Sequence, residues 1–325
     1  MYEAIKITRK GIYCPAGDFY IDPTNRAVKN AVVTHAHSDH ARGGHENYFA
    51  HRVTAEVMKL RIGKNINIKP IEYHEDFYFN NVKVTLFPAG HIPGSAQVRV
   101  EVDNQVWVVT GDYKLNHDSI SIPNEKVECD YLITESTFGM PIFQWKKQEE
   151  VFSEINNWWK SNLENGITSI LMGYSLGKAQ RILQGLDKSI GEIYVDKNIY
   201  ITNEVLRDAG IKVDEYKIIE SGLNKNSILI APPSILNTSV IAEISNHSVA
   251  FASGWMRVEK MRSSRNMNKG FVISDHCDWN ELNESVKRSK AKKIYVTHGY
   301  SSIFSRWLNE KGFNAVDMNK VKRDE

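Results

Sequence analysis

THAHSDH, residues 34–40, places three histidines and one aspartate within six consecutive positions. Side chains two residues apart on an extended segment point to the same face, so His35 and His37 are expected to converge on one point. A turn in the middle of the stretch would let Asp39 and His40 serve a second point nearby. The stretch therefore predicts two adjacent clusters of ligand-type side chains.

Imidazole and carboxylate groups of this kind suit zinc and similar divalent ions. Hydrolases that use two such ions hold them about 4 Å apart, where they share a water molecule and a leaving oxygen. A lone histidine is more often an ordinary core residue, but this combination at a strand end is far more specific. We therefore expect two divalent metal ions, with zinc favoured over manganese.

Three further ligand-type residues follow β-branched runs elsewhere in the chain: His91 after VTLFPAG, Asp112 after WVVTG and His298 after KKIYVT. Taken singly, each could be an ordinary loop residue. Strand ends cluster at one edge of a sheet, so side chains that are distant in sequence can meet there. Together with the first stretch, these residues are predicted to complete the metal site.

The composition is that of an ordinary globular protein. The 325 residues are 42% hydrophobic and 25% charged, and the net charge of +2 favours no class of partner. Three cysteines, far apart, argue against a disulfide framework and for a reducing compartment. Neither a signal-type segment nor a long apolar run is apparent, so a cytoplasmic location is expected.

The pattern of predicted elements changes near residue 145. Short β-branched runs dominate before it, whereas strand-like and helix-like segments alternate after it, which predicts a parallel three-layer α/β unit. We expect a first α/β region over 1–164, an inserted α/β unit over 165–262 and a return to the first region over 263–325.

The HxHxDH pattern, PAGH (88–91) and TGD (110–112) together resemble the metallo-β-lactamase superfamily. The resemblance implies an αββα sandwich with the metal ions at one edge. It implies that the first ion is held by His35, His37 and His91 and the second by Asp39 and His40. Asp112 would be a ligand of both. Asp22, in DFYIDP, resembles the aspartate that supports the metal loop without binding metal.

Three later motifs, TEST, SDHCD and VTHG, contain Glu135, His276 and His298. They resemble the extra motifs of the β-CASP branch, whose members cut nucleic acids. The segment between the first two motifs, with SLGKAQ and FASGWM, resembles the inserted β-CASP domain. In the ribonuclease J and polyadenylation-endonuclease groups, a histidine like His298 completes the second metal site.

Other features resemble the small bacterial exonucleases associated with DNA ligase. These features are GIYCPAGDFYIDP near the start, GDYK after the predicted bridging aspartate, ESTFGMPIF and the compact length. The resemblance implies a DNA exonuclease that processes ends for repair, with an ATP-dependent DNA ligase and a helicase-like protein as partners. Phosphodiester hydrolysis of this type is expected to leave a 5′-phosphate.

Within that reaction, His276 is the candidate proton donor to the leaving oxygen and Glu135 is expected to orient it. Asp112, as a bridging ligand, would fix the spacing of the ions. The alternative for Glu135 and His276 is a purely structural ion pair.

Substrate contacts are expected from the inserted unit. RVEKMRSSRNMNK (257–269) carries five basic residues, beginning with Arg257, and suits backbone phosphates, although it could also be a solvated loop. Ser253 and Gly254 follow a strand and could offer a hydroxyl and an N–H group to a phosphate. Lys178 lies near a helix start, where anions are favoured.

Three other functions compete with DNA trimming. A β-CASP ribonuclease fits His298, and a small-molecule hydrolase of the wider superfamily fits the metal site alone. A non-catalytic scaffold is disfavoured because every predicted ligand position is filled.

Overall fold

The computed structural model describes residues 4–24, 27–219, 223–224, 227–242, 244–258 and 269–321. The chain divides into two compact units. The first consists of Met1–His117, Ser121–Phe143 and His276–Glu325, and the second of Asp118–Ile120 and Gln144–Asp275.

The first unit opens with a sheet whose strands lie side by side in sequence order. They are β1 (Lys6–Thr8), β2 (Gly11–Cys14), β3 (Phe19–Ile21), β4 (Asn30–Val33), β5 (Asn47–His51) and β6 (Ile68–Ile71). The pairs from β1 to β3 are antiparallel and those from β3 to β6 are parallel. Helix α1 (Arg52–Arg61) packs against β5 and β6.

The second sheet begins with an antiparallel meander. Its strands are β7 (Asp76–Phe79), β8 (Val82–Pro88), β9 (Ala96–Val102) and β10 (Gln105–Val109), followed by β11 (Tyr131–Glu135), which pairs in parallel with β10. In β9, the partly exposed Arg99 and Glu101 alternate with buried valines, as expected for a strand with one face in a core.

Apolar side chains from the facing surfaces of the two sheets form one buried cluster. It includes Phe19, Ile21 and Val32 from the first sheet and Val84, Val98, Val100, Trp107 and Ile133 from the second. Burial of these side chains stabilises the sandwich through the hydrophobic effect.

The chain then forms the second unit as alternating helices and strands. They are α2 (Gln148–Glu164), β12 (Thr168–Met172), α3 (Lys178–Gly185), β13 (Glu192–Val195), α4 (Lys197–Asp208), β14 (Lys217–Ile218), β15 (Ser227–Ala231), α5 (Ser239–Ala242), β16 (His247–Ala252) and β17 (Lys269–Phe271). Short 3₁₀ helices span Pro233–Asn237 and Gly254–Arg257.

All described strand pairs in this unit are parallel, in the order β14-β13-β15-β12-β16-β17. The central strands are buried along nearly their whole length, which is typical of parallel sheets covered on both faces. The unit extends beyond the expected limits of 165–262, because α2 packs against β12, α3 and β17 and therefore belongs with them.

The last segment returns to the first unit. It contains α6 (Trp279–Ser289), β18 (Lys293–Thr297), α7 (Ser301–Glu310), β19 (Ala315–Asp317) and a 3₁₀ turn at Met318–Lys320. β18 pairs in parallel with β11, and β19 with β18, which completes the second sheet.

Helices α6 and α7 cover the outer face of the second sheet. Their apolar residues Leu282, Val286, Phe304 and Leu308 are buried in one cluster with sheet residues that include Val108, Leu132 and Ile294. With α1 outside the first sheet, the first unit is an αββα sandwich. None of the helices among the described residues has both the length and the apolar character that a membrane span requires.

Candidate metal centre

Four strands of the first unit lead into the predicted ligands. His35 follows β4, His91 follows β8, Asp112 follows β10, and His298 follows β18. The strand-end pattern in the sequence therefore corresponds to real strand ends, and the structure brings these side chains together.

Two glycines allow these loops to approach one another closely. Gly111, before Asp112, has a φ of +56°, and a Cβ there would lie 2.7 Å from the Cβ of Thr34. Gly90, before His91, has a φ of +75° and would clash with the carbonyl oxygen of Lys114. A side chain at either position would strain the backbone and push the ligand loops apart.

The first cluster contains His35, His37, His91 and Asp112, whose ligand-type atoms all lie within 4.8 Å of one another. Nε2 of His91 is 3.0 Å from Nδ1 of His37. Nε2 of His35 is 3.5 Å from Oδ2 of Asp112. Three imidazoles and one carboxylate aimed at one point could hold a divalent ion.

A second set lies on the other side of Asp112. Nε2 of His40 is 3.5 Å from Oδ2 of Asp112 and 3.8 Å from Oδ2 of Asp39. The ring of His298 stacks on that of His40 with centroids 5.2 Å apart, and His298 has a left-handed φ of 54°. Asp112 is thus the residue common to both sets.

Asp22 joins the strand end of β3 to the THAHSDH loop. Its Oδ1 accepts a hydrogen bond from the backbone N–H of Thr34 at 2.8 Å, and its Oδ2 accepts one from the Thr34 hydroxyl at 2.6 Å. Oδ2 also lies 2.7 Å from Nδ1 of His40. A proton on that Nδ1 leaves Nε2 of His40 as the nitrogen directed at Asp112, the usual arrangement behind a ligating histidine.

Two buried nitrogens in the centre make no hydrogen bond within the described part of the chain: Nε2 of His35 and Nε2 of His40. Buried polar atoms are rarely left without a partner, and those that are call for an explanation. Both atoms face Asp112 at the same distance of 3.5 Å. The donor set and its orphaned atoms therefore fit a bound cation.

Electrostatics point the same way. Burial lowers the pKa of His40, but the carboxylates of Asp112 and Asp22 outweigh it and raise the pKa to about 10. Burial lowers the pKa of His35 well below its ordinary value, and the charge of His40 adds to this. Burial raises the pKa of Asp112, while the charge of His40 opposes the rise. A proton on His40 thus supplies the positive charge that a metal ion would bring.

Glu135 and His276 form a pair beside this centre. Nδ1 of His276 lies 2.9 Å from Oε1 and 3.1 Å from Oε2 of Glu135. Burial would raise the pKa of Glu135, but the charge of His276 and its hydrogen bond outweigh burial and lower it. Asp112, Glu135 and His276 also have ligand-type atoms within 4.8 Å of one another.

The sequence interpretation missed several residues that hold these groups. Thr34 binds Asp22, the hydroxyl of Thr137 donates to Glu135, and the hydroxyl of Ser95 accepts the backbone N–H of His91 at 3.1 Å. Each lies within four residues of a motif residue. A serine or threonine so close in sequence to a motif residue was the only sign in the sequence that its hydroxyl could hold that residue in place.

The setting of Lys178 differs from the one expected for a phosphate contact. Lys178 does begin α3, but the residue is only 4% exposed, and its Nζ is 2.8 Å from Oδ2 of Asp275. Nζ also donates to the carbonyl of Ile273 at 3.2 Å. The ammonium group is committed to buried partners in its own unit, so a phosphate contact by Lys178 is not supported.

The other predicted substrate residues have mixed settings. Ser253 and Gly254 are buried, and the Ser253 hydroxyl accepts the N–H of Trp255 at 3.3 Å, which caps a 3₁₀ turn. Arg257 is exposed at the end of that turn. Most of the basic segment 257–269 lies at 259–268, outside the described residues.

No family profile matches the chain. Several curated proteins, however, are similar to the chain in sequence. A probable DNA ligase of Opitutus terrae is 28% identical, over 94% of this chain and 30% of the relative. The DNA cross-link repair protein SNM1 of Arabidopsis thaliana is 25% identical, over 85% of this chain and 64% of the relative. A probable RNase, MJ4, of Methanocaldococcus jannaschii is 22% identical, over 91% and 88%. These relatives support the resemblance of the chain to the β-CASP branch of the metallo-β-lactamase superfamily.

The chain thus spans less than a third of the ligase relative and about two thirds of the repair protein. Among solved structures, a protein of unknown function from Enterococcus faecalis matches with a TM-score of 0.60 at 14% identity, covering 91% of this chain and 80% of that one. That likeness concerns the fold alone.

Proposed function

We propose that the protein is a metal-dependent exonuclease that hydrolyses phosphodiester bonds at DNA ends and prepares them for ligation. The observation that carries this proposal is the Glu135–His276 pair, whose atoms lie within 4.8 Å of Asp112. A proton-transfer pair beside a residue shared by two ligand sets is suited to a reaction with both an attacking water and a leaving oxygen.

The predicted ligands keep their roles in this proposal. The first ion would be held by His35, His37 and His91, and the second by Asp39, His40 and His298. Asp112 would be a ligand of both. When bound, the two divalent ions would lower the pKa of a water molecule and neutralise charge on the phosphate. Zinc is the favoured ion, and manganese is the alternative.

The chain's own groups would orient and move protons. The buried carboxylate of Glu135 fixes the ring of His276 through Nδ1, so a proton for the leaving oxygen would come from Nε2. Asp22 holds His40 in the matching way from behind. The second unit is proposed to be the β-CASP domain, with Ser253, Gly254 and Arg257 as candidate substrate contacts.

Support for DNA comes from two relatives whose names concern DNA ligation and DNA cross-link repair. The ligase relative aligns with 94% of this chain, which agrees with a partnership between this nuclease and an ATP-dependent DNA ligase. The helicase-like partner rests on the sequence resemblance.

The second candidate is a ribonuclease. It is favoured by the RNase relative, which aligns over most of both chains, and by His298, whose ring stacks on His40 where a further ligand would stand.

The deciding experiment compares end-labelled single-stranded DNA with RNA of the same sequence, using protein loaded with zinc or with manganese. Trimming of DNA with RNA largely spared is the expected result. Cleavage of RNA alone would replace the DNA proposal with the ribonuclease. Hydrolysis of a thioester but no phosphodiester would indicate a small-molecule hydrolase.

A further inference from the structure

Glu281 is a buried carboxylate, 7% exposed, in the first turn of α6. Its Oε2 accepts the backbone N–H of Asp278 at 2.9 Å, and Oδ1 of Asp278 accepts the backbone N–H of Glu281 at 2.9 Å. This reciprocal pair is a capping box, which stabilises the start of the helix. The helix begins three residues after His276.

Glu281 also makes contacts that a capping box does not need. Its Oε1 accepts the backbone N–H of Asn116 at 2.6 Å, although the two residues are far apart in sequence. Its Oε2 is 3.7 Å from Nζ of Lys114, a lysine only 3% exposed. Both partners lie on the segment that begins with Asp112.

A second connection joins the same two segments closer to the metal centre. The backbone N–H of Cys277 donates to the carbonyl of Tyr113 at 2.8 Å. The N–H of Tyr113 in turn donates to Oε1 of Glu135, at 3.1 Å. Two sets of hydrogen bonds therefore join the segment that carries Asp112 to the segment that carries His276. Glu281 makes the set that lies farther from the metal centre.

We infer that Glu281, with Lys114 as its counter-charge, is a positioning residue that fixes the distance between Asp112 and His276. The inference rests on the proposed function. Proton transfer to a leaving group depends steeply on such distances, and a displacement of about 1 Å can cost about 100-fold in rate. Outer residues that orient a metal site typically contribute about 10- to 100-fold to affinity or activity.

Glu281→Gln tests this role, because glutamine keeps the shape but cannot accept from Asn116 and Asp278 while also neutralising Lys114. Cleavage at saturating metal should show kcat lowered about 10- to 100-fold with KM within about 2-fold of wild type. Metal affinity, measured by competition with a chromogenic chelator, should weaken as well. Lys114→Met should lower kcat too, and the double variant should be no worse than the poorer single variant.

Asp196→Asn is the matched control. Asp196 caps α4 with the same chemistry, accepting the N–H groups of Asn198 at 2.7 Å and Ile199 at 3.3 Å, and it is 9% exposed. Its loss should lower the melting temperature as the Glu281 variant does, with kcat unchanged. Equal losses of stability with unchanged kcat and metal affinity in both variants would overturn the inference. An inactive wild-type protein would overturn the proposed function instead, and the chelator competition would still decide the role of Glu281.

Discussion

The histidine–carboxylate pair is the residue-scale feature on which catalysis is proposed to depend. Replacing His276 with alanine removes the proposed proton donor but none of the seven proposed metal ligands. We expect kcat to fall by about 10²- to 10⁴-fold, the usual contribution of a general acid. Metal content, measured by mass spectrometry on the purified variant, should equal that of wild type.

A second histidine–carboxylate pair provides the control. Nε2 of His74 is 3.2 Å from Oε1 of Glu125 on the surface of the same unit. His74→Ala should leave both kcat and metal content unchanged. Loss of metal from the His276 variant would show that His276 is a ligand and contradict its role as a proton donor.

Asp22 gives a separate prediction for the metal loop. Asp22→Asn removes the charge next to Nδ1 of His40 and an acceptor used by Thr34. Metal affinity should fall about 10- to 100-fold by chelator competition. Asp18→Asn, at an exposed aspartate with a similarly left-handed φ, should leave it unchanged. Equal affinities for both variants and wild type would show that the His40 contact is dispensable.

The positions of the candidate ligands could be predicted because each follows a β-branched run, and strand ends meet at one sheet edge. Among the groups that hold these ligands, Asp22 was predicted from the family resemblance, but the others were not. The N–H of Tyr113 reaches Glu135, and the hydroxyl of Thr34 reaches Asp22, only when strands that are distant in sequence pair. The helix position of Lys178 could likewise be predicted, but its buried partner Asp275 could not.

At the scale of elements, the N-terminus of α1 should make stability depend on pH. Nδ1 of His51 accepts the N–H of Val53 at 3.3 Å, and the ring stacks on Tyr73 with centroids 3.9 Å apart. Burial lowers the pKa of His51 to about 4, and the charge of Arg52 adds to this. The folded protein therefore holds His51 neutral in a range where the unfolded chain, with a pKa near 6.5, takes up a proton.

Stability from His51 is thus fully present above about pH 6.5 and is lost as the pH falls toward 4, up to about 3 kcal/mol. His51→Gln keeps an acceptor for the helix cap but cannot titrate. Urea unfolding of both proteins in chelator, from pH 7 to pH 4, should show the wild type losing more stability than the variant. Parallel curves would contradict the assignment.

Long or strongly patterned elements were predictable, and very short ones were not. The run VTLFPAG corresponds to most of β8, and KKIYVT corresponds to β18. The strands β1 to β3 and β5 to β7, each of three to five residues, were not predicted. Such segments are too short to show a period, and pairing with neighbours decides their conformation.

For the whole molecule, metal binding should contribute to stability. The centre buries carboxylates and orphaned imidazole nitrogens that a cation would satisfy, and a ligand that binds only the folded state stabilises it by mass action. Removing metal with chelator should lower the melting temperature by several degrees in scanning calorimetry. Variants with His35 or His37 replaced by alanine should show a smaller shift, because the first ion loses one of its ligands; a shift as large as that of wild type would contradict the assigned site.

The division into units also belongs to this scale. The change in sequence pattern near residue 145 coincides with the beginning of Gln144–Asp275, the main segment of the second unit. The expected limits of 165 and 262 did not include α2, because its packing against β12 and β17 is a tertiary contact that sequence periodicity does not reveal.

The measurement that tests the central claim most directly is a metal titration of the metal-free protein, with hydrolysis of bis-p-nitrophenyl phosphate as the readout. Bound metal is counted in the same samples. The proposed site predicts little hydrolysis without metal, a rise as metal is added, and a plateau at two ions per chain. Full activity without metal, or no phosphodiester hydrolysis at two bound ions per chain, would contradict it.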